Sequence, residues 1–206
     1  MSNALRAAVV AAALAAPLAL DLRLRRGEQP LTDAWQDLPV AHRGDTLLGI
    51  SLRPRQMAAL GLDPLSTAAE LLAYPFQVVR LSAYWRQMEP TPGAFVPDEL
   101  DQLVEMAART GKQIILAVGA VKTFGYPEFF VPDFHQAGAF REGTLVRASE
   151  APHLLEAACR FVTRVVERYR SHRAVIAWQV EHEALDPLGM EHSWRLAEDF
   201  VRSEVA

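Results

Sequence analysis

Cysteine is nearly absent: Cys159 stands alone among 206 residues. One thiol excludes an internal disulfide framework and a cysteine metal cluster. Its place on the apolar stripe of an expected helix makes it a buried, inert side chain. Lysine is almost as scarce, with Lys112 and Lys122 the only two among 21 cationic residues. The arginines form no stripe and the formal net charge is only -4, so nothing points to nucleic acid. An uninterrupted apolar run of about 20 residues, the length a membrane span needs, is also missing. What is present is an ordinary globular composition: half the residues are apolar and 22% are charged. That is enough to bury a core, and it excludes a disordered chain.

The longest apolar run, Ala7–Leu20, comes after Arg6 and is interrupted by Pro17. Its length and the small residues at Ala13 to Ala16 read residues 1–26 as an export signal or membrane anchor. Arg23, Arg25 and Arg26 behind it oppose passage of the downstream chain, so an Ala-rich helix lying on the domain is the competing reading. The corresponding destinations are the cell envelope or exterior, or alternatively the cytoplasm. Residues 27–45 are polar, contain Pro30 and Pro39, and read as a linker. The remaining residues, 46–206, are the folded domain.

Within that domain, short apolar runs alternate with helical periods. Expected strands are Thr46–Ser51 (TLLGIS), Val78–Leu81 (VVRL), Gln113–Val118 (QIILAV) and Val175–Val180 (VIAWQV). Between them lie short helices at Arg55–Leu60 and Ser66–Ala73, the latter with Ser66 as N-cap. A longer helix spans Pro97–Gly111, striped by Leu100, Leu103, Val104, Ala107 and Ala108. Leu154, Ala158, Phe161, Val162, Val165 and Tyr169 stripe another, and Trp194, Ala197, Val201 and Val205 the last. Strand–helix alternation at these spacings is the α/β signature of a parallel sheet. The long stretch Gly119–Ala151 lacks helical periodicity and reads as a loop on the face where such folds place their sites.

The chemistry-bearing residues gather where strands end. The fourth strand runs into Ala177-Trp178-Gln179-Val180-Glu181-His182-Glu183-Ala184-Leu185. The second leads through Arg80-Leu81 to Tyr84-Trp85, then Glu89-Pro90-Thr91-Pro92-Gly93-Ala94-Phe95 and Leu100-Asp101. The first carries Leu48-Gly49-Ile50-Ser51 and Arg53-Pro54-Arg55-Gln56. In this order, on these strands, the three stretches resemble the clan-A (β/α)8-barrel glycoside hydrolases, cellulase-like and β-galactosidase-like members alike. The fourth-strand stretch is similar to their W-Q-V-E-N-E-P signature, with His182 where they have Asn and Ala184 where they have Pro. The resemblance covers about Thr46 to Ala206.

The resemblance implies a partial TIM barrel, strands one to four with their helices. It also implies retaining hydrolysis of O-glycosyl bonds in a β-linked oligo- or polysaccharide, with neither metal nor cofactor. That chemistry needs one carboxylic acid to protonate the leaving oxygen and a second carboxylate, about 5 Å away, as nucleophile. Glu183 takes the acid/base position. Glu181, two residues earlier on the same side of an extended chain, is expected to orient its neighbours. His182 would donate to the sugar's 2-hydroxyl in place of Asn, and Arg80 would support the nucleophile. Tyr84 and Trp85 are candidates for a sugar-stacking platform, with core packing as the alternative. Trp178 is expected in the core. Lys122, Tyr126 and Glu128, in the long loop, are further substrate-contact candidates.

The family's nucleophile is a Glu at the end of strand seven, and these residues reach only strand four. Three readings are open. The chain is part of a longer hydrolase, or it is a half-barrel that self-associates through its open sheet edges. Alternatively, it is a non-catalytic carbohydrate-binding relic. Taken alone, it is expected to be inactive.

Overall fold

The computed structural model describes residues 47–122, 130–136, 143–184 and 194–206. The N-terminal segment, the linker, Thr46, Tyr126 and Glu128 lie outside the described residues. Four apolar runs form one sheet: β1 (Gly49–Ser51), β2 (Val78–Ser82), β3 (Gln113–Ala117) and, after a two-residue β4 (Leu145–Val146), β5 (Val175–Gln179). All pair in parallel, in the order β1-β2-β3-β5. This is the expected sequential arrangement of a half-barrel.

Register explains which side chains meet. Val79 pairs with Ile114 and Leu81 with Leu116, and all four are fully buried in the core. Because side chains alternate along a strand, Arg80, Ile115 and Ala177, aligned across β2, β3 and β5, share the opposite face. Arg80 is thereby carried to the side where a barrel keeps its interior.

The helices are α1 (Pro54–Ala59), α2 (Pro64–Leu72), α3 (Trp85–Met88), α4 (Asp98–Arg109), α5 (Pro152–Tyr169) and α6 (Glu198–Val205). In α4 the buried residues are Leu100, Leu103, Val104 and Ala107, one stripe at the helical period. Asp98, Glu99 and Asp101 in its first turn and Arg109 in its last complement the helix dipole. Gly111, at φ 72°, supplies the left-handed residue just beyond the helix. Asp101 ties α4 to α5: it accepts from Tyr169 Oη at 2.7 Å and from Arg168 Nε at 2.8 Å.

Several boundaries differ from the sequence expectation. β1 is shorter, and Leu47 and Leu48 are exposed before it. The N-cap of α2 is Asp63, whose carboxylate accepts from Ser66 N at 2.8 Å, with Pro64 in the first turn. Ser66 is therefore inside the helix. The long loop contains β4, which pairs in parallel with β6 (Arg195–Leu196). Two-residue strands carry no readable period, so neither was expected. The last helix also starts later and in another phase. Trp194 and Ala197 are buried ahead of it, Phe200 and Glu204 are its buried residues, and Val205 is exposed.

Cys159 is half-buried rather than fully enclosed. Its Sγ faces the Ser203 carbonyl of α6 at 3.7 Å, and burial raises its pKa. Trp178, expected in the core, is 38% exposed, and Ile176 is also exposed. Both sit on β5, which has no further strand beside it among the described residues.

Candidate active site

Beyond Gln179 the chain makes a constrained turn. Glu181 and Glu183 both adopt positive φ, 54° and 50°, a conformation that costs a side-chain-bearing residue about 1–2 kcal/mol. Contacts with the end of β3 compensate. Val118 N donates to Gln179 O at 2.9 Å and His182 N to Lys122 O at 2.7 Å. The buried Glu181 carboxylate accepts from Val121 N at 2.8 Å and also from Lys122 N. Lys122 Nζ then reaches across to donate to Glu183 O at 2.7 Å. Both lysines of the chain bury their ammonium groups on backbone carbonyls, for Lys112 donates to Tyr74 O and Phe76 O.

Close approach makes this zipper possible. A Cβ at Gly119 would lie 2.3 Å from Glu181 N and 2.5 Å from Glu181 Cα. Only glycine lets the two strand ends meet at this distance.

The turn presents His182 and Glu183. The His182 Nδ1 faces two donors, Arg80 Nη2 and Gln179 Nε2, each at 3.3 Å. Arginine has no acceptor, and Gln179 Nε2 also donates to Glu181 O at 3.1 Å. Nδ1 must therefore carry a lone pair, and Nε2 carries the hydrogen. Burial first, then the Arg80 charge, lowers the His182 pKa, against the opposing pull of Glu183. The imidazole is thus a neutral ring with its N–H pointing outward. Its Nε2 lies 3.5 Å from Glu183 Oε1, and the Glu183 side chain is 58% exposed.

Glu183, His182, Glu181 and Arg80 are brought together at the C-terminal end of the sheet, with Lys122 behind them. Lys122 is buried with its ammonium on the turn's backbone, so it shapes the turn instead of reaching into solvent. Glu181 is also buried, with both oxygens on backbone N–H groups, and it does not face a ligand.

Trp85 is not part of this cluster. It is fully buried, stacks on Phe161 at 5.5 Å, lies 4.8 Å from the His135 ring and donates through Nε1 to Glu89 Oε2 at 2.5 Å. Both faces of its ring are occupied, so the stacking platform is ruled out for this residue and core packing replaces it. Tyr84 is buried too, edge-on to Phe130 at 4.6 Å and with Arg55 over its ring at 5.9 Å. A cleft of about 310 Å³ beside it is lined by Arg55, Ser82, Gln87 and Leu103, and Glu183 is not among its walls.

The model of the glycoside hydrolase 42 family, described as β-galactosidase, matches residues 71–202. The chain belongs to the glycoside hydrolase 42 family. Among solved structures it is similar to the cold-adapted β-galactosidase from Rahnella sp. R3, with a TM-score of 0.50 and 19% identity over 68% of this chain and 22% of that one. A catalytic mutant of Gan42B, a family 42 β-galactosidase from G. stearothermophilus, gives 0.51 and 20% identity over 68% and 22%. A GH5_18 protein from Streptomyces cattleya in complex with GlcNAc gives 0.58 and 16% over 76% and 40%. At these identities the structural likeness establishes the fold alone, part of a TIM barrel. No curated protein sequence matches the chain. The chain spans about a fifth of the length of the β-galactosidases it resembles: 22% in each of these two cases.

Three residues of this family 42 chain that act on the turn carry no role in the sequence pattern. Gln179 lies inside the strand-four motif, and the alternation that places Ala177 inward places Gln179 there as well. Gly119 stands just beyond β3, where a glycine signals close backbone approach. Arg53, whose charge helps to lower the His182 pKa, sits in the first-strand motif but carries no signal of its own.

Proposed function

We propose that this chain carries the leaving-group half of a retaining β-galactosidase-type active site, with Glu183 as the acid/base and a β-linked galactoside as substrate. The observation that carries the reading is the placement of Glu183. It is at the end of β5, largely open to solvent, next to a histidine whose outward N–H is fixed by Arg80 and Gln179. A neutral imidazole with its hydrogen on Nε2 offers a sugar hydroxyl one N–H donor, where the family's Asn offers an amide NH2. Arg80, aligned with Ile115 on the interior face, supports this reading as the cation that would attract the anionic partner carboxylate the mechanism requires. Glu181 is enclosed and turned to the backbone, so it is not that partner.

An acid without a nucleophile assists departure but does not capture the anomeric centre from the opposite face. The purified chain is therefore expected to leave aryl β-galactosides intact, even those with activated leaving groups, and to cleave them slowly once azide or formate is added. Rapid turnover without an added nucleophile, abolished by Glu183→Gln, would overturn the half-site reading. Absence of galactoside binding by calorimetry would remove the substrate assignment. Residues 1–26, which contain the apolar run Ala7–Leu20 behind Arg6, are proposed to carry the chain to the cell envelope, which fractionation of a tagged full chain tests. The edge at β5, which has no neighbouring strand among the described residues and carries exposed Ile176 and Trp178, supports self-association, which sedimentation would detect.

A further inference from the structure

The turn that presents Glu183 also touches a carboxylate from the far end of the chain. Glu204, on α6, is 7% exposed and lies four residues beyond Phe200 on the same buried face. Among the described residues neither of its oxygens reaches an N–H or hydroxyl donor. Its side chain instead meets the carboxylate of Glu181, which is 6% exposed. Two ionised carboxylates in contact and out of water repel strongly, so one of them holds a proton.

The surroundings decide which. Glu181 accepts two backbone N–H groups, from Val121 and Lys122, and these favour its ionised form. Burial is the larger influence and raises the Glu181 pKa, but these donors and the Lys122 charge hold part of that rise back. Among the described residues Glu204 has no counterpart to them. Burial, then the Glu181 charge, pushes its pKa up to about 11, with the Cys159 thiol of α5 as the other titratable group acting on it.

We propose that Glu204 is a positioning residue, whose protonated carboxyl donates to Glu181 and clamps α6 to the strained turn that presents His182 and Glu183. The clamp gives Glu181 a third donor and leaves no uncompensated charge behind the turn. It rests on the burial of Glu204 and Glu181 and the absence of other donors to Glu204 among the described residues, and holds whether or not the chain acts on galactosides.

The test uses the full chain with Glu204→Gln, which keeps a donor but cannot titrate, and Glu204→Leu, which removes it. Above about pH 4.5, the ordinary glutamate value, the unfolded chain releases this proton while the folded chain keeps it. Wild-type stability therefore falls as pH rises towards 11, and the Gln variant is spared that loss. The ratio of unfolding constants, wild type over E204Q, should rise about tenfold per pH unit between pH 6 and 8. A flat ratio overturns the proposal. Infrared spectra at pH 8 should show a protonated-carboxyl stretch in wild type that vanishes in E204Q. No band in wild type, or a band surviving in E204Q, assigns the proton elsewhere and also overturns it. For the clamp itself, the His182 ¹⁵N shifts should match wild type in E204Q and move in E204L. Unchanged shifts in a folded E204L refute positioning, and if E204L does not fold, the pH and infrared results on E204Q decide.

Discussion

Gly119→Ala is the smallest change that should dismantle the site. The added methyl would sit 2.3 Å from Glu181 N and 2.5 Å from Glu181 Cα, with Glu181 Cδ at 2.9 Å. The first two are backbone atoms, so no rotamer change relieves the clash and the strand ends must part. Overpacking of this kind costs about 1–3 kcal/mol. Separation also strains the bonds from Val121 N and Lys122 N to the Glu181 carboxylate. Losing one hydrogen bond to a buried charged group adds about 1.5–3 kcal/mol. The combined expectation is about 2.5–6 kcal/mol, a large part of the total stability of a domain this size. With a urea slope of about 2 kcal/mol per molar, the unfolding midpoint should fall by about 1.2–3 M. Gly93→Ala is the control. Unlike Gly119 it has a positive φ, of 80°, and a Cβ there meets nothing within 4 Å, so only the backbone penalty of about 1–2 kcal/mol applies. If G119A unfolds within 1 M of wild type, or no earlier than G93A, the close-approach argument is wrong.

Two further substitutions probe the site and its surroundings. His182→Asn restores the residue of the wider family, with its amide oxygen towards Arg80 and its NH2 outward. Because the folded-state pKa of His182 lies below its ordinary 6.5, the unfolded chain takes up a proton first on acidification, and wild type loses stability as pH falls below 6.5. The Asn variant lacks this contribution, so its stability relative to wild type should rise between pH 7.5 and 5 in urea titrations, and a constant difference would show that His182 is not held neutral. Trp85→Phe removes the bond to Glu89 and part of the contact with Phe161. It should cost about 1–3 kcal/mol in the same assay while leaving galactoside binding unchanged, and a selective loss of binding would return Trp85 to the site.

The parts of this protein that the sequence alone determines are those governed by local periodicity and short spacing. The α4 stripe Leu100, Leu103, Val104, Ala107 is legible because helical burial repeats every three to four residues. The order of four parallel strands results from helices long enough to cross back between apolar runs. The adjacency of Glu181, His182 and Glu183 is written directly in the chain. Tertiary structure decided everything that depends on distance along the chain or on phase. Trp85 takes the core alternative and Trp178 leaves its expected core place because burial of a tryptophan depends on what lies across from it: Phe161 and His135 enclose the first, while the second lies on an edge strand of the described sheet. Lys122 reads as a loop cation, yet its ammonium is folded onto the Glu183 carbonyl. The tautomer of His182 is set by Arg80, 102 residues away. Glu204 lies off the expected apolar stripe of its helix, and its burial against Glu181 exists only once α6 has packed. No local pattern records such contacts, because the energy that selects them arises from partners the chain brings together only on folding.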